Sequence, residues 1–249
     1  MMLMLAALPL AAQKTPVRVA AAADLQPVLP RIIAAYRAAG GGPVEASYAS
    51  SATLATQIIN GAPFDLFLAA NLSFPQRVID ARQAVETRPV VYAQGALVLW
   101  SRRNGQDGPL TLKDLASPSV HRIAVANPQH APYGAAAIAA LKSSGVYAAV
   151  QSKLVYAENI AQTAQFAQSG NADCALISRT LATSPALAEH GQATEIPPAL
   201  YPPIEQGAVL MRKAPERLAA TGLLQFLLSP KGRAVLEQNG LRAPSPAER

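Results

Sequence analysis

The chain has 249 residues, 51% hydrophobic and 14% charged, which is enough for one large domain or two lobes with a sizeable apolar core and too apolar for global disorder. Its net charge of +6 comes from scattered Lys and Arg with no basic run and no interleaved aromatics, which argues against a nucleic-acid partner. The single cysteine rules out a disulfide framework and a thiolate cluster, and the three histidines lack regular ligand spacing, so metal-ion binding has no support.

Residues 1–13 read "MMLMLAALPLAAQ". They are apolar and end in small residues, like the core and cleavage region of a secretory signal, although a positive n-region is missing. The stretch is too short to span a bilayer as a helix. An exported protein is expected, with its mature part starting near residue 14.

"VRVAAAA" (Val17 to Ala23) alternates and then becomes continuously apolar, like a central strand. Asp24 follows, well suited to cap a helix. Leu25, Val28, Leu29, Ile32, Ile33 and Tyr36 recur at helical spacing. Pro27 fits the first turn, while Pro30 makes that early helix imperfect. "VEASYA" (Val44 to Ala49) reads as a second strand. A helix opening on Ser50 and Ser51 runs to Ile59 and stops at Gly61. "DLFLAA" (Asp65 to Ala70) is a third strand and "FPQRVIDARQ" a third helix. "VVYAQGALVLWSRR" (Val90 to Arg103) is a long extended run broken by Gly95, long enough to leave one lobe and enter another. "RIAVANP", "YGAAAIAALKSSG", "KLVYAEN", "IAQTAQFAQSG" and "DCALIS" form a second β-α-β-α-β series. Cys174, inside the last of these, reads as a core thiol. "IPPALYPPIEQGAVLMRK" looks like a return crossing, and the end reads as two helices split at "SPKG". Strands alternating with helices predict an α/β fold with mainly parallel sheets.

Three strand-to-helix junctions share a design, "AAAADL", "YASSAT" and "AENIAQ", and a fourth, "NPQHAPYGAAA", places Tyr133 before a helix. Helix starts expose unpaired N–H groups and partial positive charge, so they attract anions. In open α/β sheets such junctions gather beyond the carboxyl ends of the strands. Hydroxyls of Ser50, Ser51 and Tyr133 add donors, with no Lys or Arg among them. Each junction also reads as ordinary capping, and the residues alone leave both readings open. No nucleophile elbow, P-loop or dinucleotide fingerprint supports an enzyme.

The order of these segments, above all "SSATLATQIINGAPFDLFLAA" and "NPQHAPYG", resembles the periplasmic molybdate-binding proteins of ABC transporters, from about Val17 to Ala243. The resemblance implies a type II periplasmic-binding-protein fold: two α/β lobes joined by a two-strand hinge. On that division residues 14–94 and 206–249 form one lobe and 95–205 the other. It also implies a tetrahedral dianion, molybdate or tungstate, held by neutral hydrogen bonds. Ser51 matches a serine ligand through hydroxyl and N–H, Tyr133 a phenol donor, and Ile160 a backbone N–H at a helix start. Ala23, Asp24, Ser50 and Asn159 complete the expected ligand-binding set at the same junctions. The implied protein is a monomeric periplasmic receptor without enzymatic activity or cofactor, delivering its anion to an inner-membrane ABC permease.

Two positions depart from that pattern. Asp24 stands where many members have Ser or Asn, and a carboxylate aimed at a dianion would repel it. It is expected to turn away and cap its own helix, leaving nearby N–H groups for the ligand. Ser178 stands where other members place a tyrosine, which Tyr133 is expected to replace. The alternatives are a receptor for another oxyanion such as phosphate or sulfate, favoured by Asp24, and beyond that class a ligand-sensing domain or an enzyme.

Overall fold

The computed structural model describes residues 15–102 and 108–244. The expected export signal, and Arg103 at the end of the long extended run, lie outside them. The first α/β unit runs β1 (Val17–Ala22), α1 (Leu29–Ala38), β2 (Val44–Ala49), α2 (Ser51–Ile59), β3 (Leu66–Ala69), α3 (Ser73–Asp80) and β4 (Val90–Gly95). The second runs β5 (Leu97–Arg102), β6 (Ile123–Ala126), α4 (Pro132–Ser143), α5 (Tyr147–Val150), β7 (Leu154–Ala157), α6 (Ile160–Ser169), β8 (Cys174–Ser178), α7 (Arg179–Ala182), α8 (Pro185–Ala188) and β9 (Gly191–Glu195). The chain then returns through β10 (Ile204–Leu210) and ends in α9 (Arg217–Leu228) and α10 (Pro230–Gln238).

Two five-stranded sheets result, ordered β2-β1-β3-β10-β4 and β7-β6-β8-β5-β9. Each is parallel in the three strands that carry the β-α units. Each becomes antiparallel where the later strands join: β10 against β3 and β4, β5 against β8 and β9. The long extended run is thus two strands in two sheets, separated only at Ala96. β10 carries a register shift at Gln206/Gly207 beside β4, so the two crossings lie side by side.

Period-two alternation explains how the first sheet is covered on both faces. Val17, Val19 and Ala21 of β1 pack with Leu29 and Ile32 of α1, Leu223 and Leu227 of α9 and Leu236 of α10. Ala20 points the other way, to Leu54 and Ile58 of α2 and Val78 of α3. A third cluster fills the second unit and extends to Ala22, Ala23 and Ala70 at the carboxyl ends of the first sheet. The split after "LLQFLL" arises at Ser229, which ends α9 and caps α10 by accepting from the Gly232 N–H at 3.2 Å.

Helix α1 begins later than its apolar spacing suggests. Ala23–Leu25 form a single 3-10 turn, and α1 starts at Leu29 with Pro30 in its first turn. Pro30 has no N–H to donate back to the preceding turn, which suits it to the first turn of a helix and sets the start of α1 there. The 3-10 turn has no side-chain cap, so Asp24 does not cap its own helix, contrary to expectation. Its side chain goes elsewhere.

Candidate functional site

The carboxyl ends of β1, β2 and β3 face the second unit across a small cavity. It is lined by Ala22, Ala23, Asp24, Ala49, Ser50, Ser51, Ala70, Ala131, Pro132, Tyr133 and Ile160. Six of the seven residues anticipated as ligand-binding therefore share one enclosure. Its free volume is about 10 Å³, far below the ~300–1,000 Å³ usual for larger organic ligands. As they stand, the walls leave room for about one water molecule. The walls belong to both α/β units. Hydrogen bonds that cross between the units include the Ala52 N–H to the His130 carbonyl at 3.2 Å, the Thr180 hydroxyl to the Asp24 carbonyl at 2.7 Å and the Gln206 amide to the Tyr133 hydroxyl at 3.3 Å, and Arg242 pairs with Glu195.

The two adjacent serines divide their roles. Ser50 is the N-cap of α2: its hydroxyl accepts from the Thr53 N–H at 3.1 Å and bonds the Thr53 hydroxyl at 2.7 Å. Ser51 is the first helical residue, 1% exposed. Its hydroxyl accepts from the Ala70 N–H at 3.1 Å, which leaves its proton for another partner.

Asn159, expected among the ligand residues, does not line the cavity. Its side chain caps α6, accepting from the Ala161 and Gln162 N–H groups at 3.0 Å each. That cap, with the helix ladder beyond it, leaves the Ile160 N–H at the helix start for the cavity. Tyr133 follows Pro132 in the first turn of α4 and is 1% exposed. Its hydroxyl lies against Gly95, where an added Cβ would stand 2.2 Å from the phenol oxygen. The break in the extended run is therefore also the space the phenol needs.

Gln206, in the bulged part of β10, was not anticipated and holds the polar centre together. Its amide nitrogen donates to Asp24 Oδ2 at 2.8 Å and to the Tyr133 hydroxyl at 3.3 Å. Its amide oxygen accepts from the Tyr92 hydroxyl at 3.0 Å. The one available signal was a glutamine leading into the apolar run "GAVL" of the strand "IEQGAVL", since a fully buried amide must find partners.

Asp24 is fully buried, and its Oδ1 has no hydrogen-bond partner. Burial pushes its pKa up to about 7, partly offset by hydrogen bonding with Gln206 and the neighbouring Tyr133 phenol. The Tyr133 and Tyr92 phenols are raised well above their usual range, first by burial and then by the Asp24 charge. Both therefore remain O–H donors at neutral pH. Among the described residues no Lys, Arg or His side chain lines the cavity. Ser178 is also buried, but its hydroxyl is engaged with Thr180 at 2.8 Å and with the start of α7. Cys174 lies in the β8 core with its thiol pushed up to about 12 by burial, so it is unsuited to act as a nucleophile. Among the described residues no group of three or more His, Cys, Asp or Glu could hold a metal ion. The arrangement can bind a small anion through oriented neutral donors.

Comparison with known proteins points the same way. The profile of a bacterial family described as extracellular solute-binding proteins matches residues 17–242. The molybdate-binding protein ModA of Azotobacter vinelandii is 35% identical over 232 residues, covering 92% of this chain and 91% of that protein. ModA of Rhodobacter capsulatus is 35% identical over 237 residues, covering 94% and 90%. The solved structure of the Azotobacter vinelandii periplasmic molybdate-binding protein superposes with a TM-score of 0.83 at 28% identity, covering 92% of this chain and all of that one.

Proposed function

The chain belongs to the family of bacterial extracellular solute-binding proteins, and from that premise we propose that it binds molybdate in the inter-lobe cavity and delivers it to an ABC importer. The 35% identical molybdate-binding relatives, covered almost end to end, support the ligand. The observation that carries the reading is the cavity itself: the starts of α2, α4 and α6 meet the end of β1 around a small enclosure with no basic side chain. Such a site holds an anion by hydrogen bonds and helix-start dipoles alone. Ser51 contributes its hydroxyl and N–H, Tyr133 its phenol, and Ile160 its N–H. Tungstate, nearly identical to molybdate in size and charge, fits the same donors.

We read residues 14–94 with 206–249 as one lobe and 95–205 as the other, hinged at β4–β5 and β10. Opening about those strands would admit the anion, and closure would complete the donor set. We read the protein as an exported, monomeric, non-enzymatic receptor whose partner is an inner-membrane permease.

Calorimetry with molybdate, tungstate, sulfate and phosphate tests this. Molybdate and tungstate should bind tightly and sulfate much more weakly, because a misplaced hydrogen bond to a charged group costs ~1.5–3 kcal/mol. Equal or tighter binding of sulfate or phosphate would overturn the assignment. The unpartnered Asp24 Oδ1 favours one second reading, a receptor for a proton-bearing anion such as hydrogen phosphate, and the same titrations separate the two.

A further inference from the structure

Asp24 is the one feature of the cavity that a dianion receptor should not have. Its carboxyl is fully buried, and no cationic side chain lines the cavity with it. Oδ2 is taken by the Gln206 amide at 2.8 Å. The orientation of that amide is set from behind by the Tyr92 hydroxyl, which donates to its oxygen at 3.0 Å. Oδ1 is the oxygen left over, buried and without a partner. A buried charge with neither counter-ion nor full hydrogen bonding is costly, and a dianion beside it makes it costlier.

We propose that Asp24 binds the oxyanion as a neutral carboxylic acid, with its proton on Oδ1 donated to a ligand oxygen, so that molybdate binding above neutral pH takes up one proton from solvent. This rests on the molybdate reading and extends it: the aspartate becomes a further donor, in keeping with its neutral neighbours. The proton comes from water or buffer and stays on the carboxyl. The contact is to an anion oxygen and involves no bond to the metal centre.

The surroundings support this protonation. Facing Asp24 are the phenols of Tyr92 from β4 and Tyr133 from α4, both held protonated by burial. The end of β8 brings the Ser178 hydroxyl and α7 that of Thr180, while Arg179 at the start of α7 is turned to Glu195 at 3.4 Å. The facing part of α6 offers Ile160 and no ionisable side chain. From β2, Tyr48 is half-buried and Glu45 exposed. His130 and Glu158 stand half-exposed, 3.9 Å apart. The group is already poised near pH 7 without ligand, and an adjacent dianion raises its affinity for the proton further.

The test is calorimetric titration of molybdate into the protein at several pH values from about 6 to about 9, in buffers of differing ionisation enthalpy. Molybdate stays a dianion over this range, so any proton taken up belongs to the protein. The wild type should take up close to no protons at the acid end and close to one at the alkaline end, and its Kd should weaken by about tenfold per pH unit above neutrality. Asp24→Asn, which keeps a donor at the same place, should abolish the uptake, flatten the pH profile and bind molybdate more tightly than the wild type at the alkaline end. A wild type that binds molybdate tightly with no proton uptake and a flat profile would overturn the proposal and leave the molybdate reading standing. Uptake that persists in Asp24→Asn would place the proton on another group, His130 included, and also overturn it. Absence of molybdate binding at every pH would instead overturn the parent reading.

Discussion

Two buried aspartates stand at opposite ends of the first sheet, and their surroundings differ in kind. Asp65 precedes β3 at the amino end; Asp24 follows β1 at the carboxyl end. Both are fully buried. Asp65 accepts from the Arg18 N–H at 2.7 Å and the Glu216 N–H at 3.2 Å, and the Arg18 guanidinium stands 3.7 Å away. It ties the start of β1 to the segment entering α9. Asp24 has the Gln206 amide on Oδ2 and the Tyr133 phenol beside it, no cation, and no hydrogen-bond partner on Oδ1. A carboxylate retained for architecture has its charge and lone pairs answered within the fold. One left half-answered beside a cavity is answered by something that enters.

The contrast is most easily broken at Asp65. Asp65→Ala removes an acceptor from two N–H groups and strands the guanidinium, and should destabilise the protein by about 3–5 kcal/mol, lowering Tm by about 10 °C. Denaturant unfolding measures this, and molybdate affinity of the folded fraction should not change. A large loss of affinity would show that the amino end of the sheet also shapes the site.

Asp24 should behave in the opposite sense. Its folded pKa, about 7, lies above its ordinary 3.8, so the folded state holds the proton more firmly than the unfolded chain. Its contribution is therefore most favourable at low pH, is lost as pH rises from about 4 to about 7, and is flat beyond. Asp24→Asn lacks this titration, so the unliganded variant should exceed the wild type in stability by about 2–4 kcal/mol at pH 8. The difference should vanish near pH 4. Melting curves at the two pH values decide it, and equal stability at pH 8 would mean the carboxylate is solvated or paired.

The next effects are on binding. Ser51→Ala and Tyr133→Phe each delete one hydroxyl at the cavity, and each should weaken molybdate binding by roughly 1.5–3 kcal/mol. Ser51→Ala also leaves the Ala70 N–H without its acceptor, so a small stability loss accompanies it. The smallest effect separates neighbours in sequence. Ser50→Ala removes the α2 cap and should cost ~1 kcal/mol of stability, with far less change in affinity than Ser51→Ala. Affinity losses of equal size would merge the two roles.

How much of this was legible beforehand follows the range of each interaction. The β-α alternation and the junctions opening α2, α4 and α6 are local, written in apolar period and small or polar residues, and the structure brings those junctions together. Helix boundaries failed where local chemistry competed: α1 starts with Pro30 in its first turn, and the Asp24 side chain took a long-range partner over its own helix. The short β9, α5, α7 and α8 lack enough residues for a clear period. Gln206 was illegible for a different reason. Its partners Asp24, Tyr92 and Tyr133 lie 182, 114 and 73 residues away, and only the fold brings them together. For the same reason Gly95 reads as a strand breaker until the Tyr133 hydroxyl is seen against it.

Molybdate in the cavity is checked by a crystal structure of the protein with molybdate, with diffraction measured at the molybdenum absorption edge. One strong anomalous peak is expected in the cavity between the two sheets, with anion oxygens in hydrogen-bond contact with Ser51, Tyr133, the Ile160 N–H and Asp24 Oδ1. An empty cavity at saturating molybdate, or a peak held by surface Lys and Arg elsewhere, would contradict molybdate binding there.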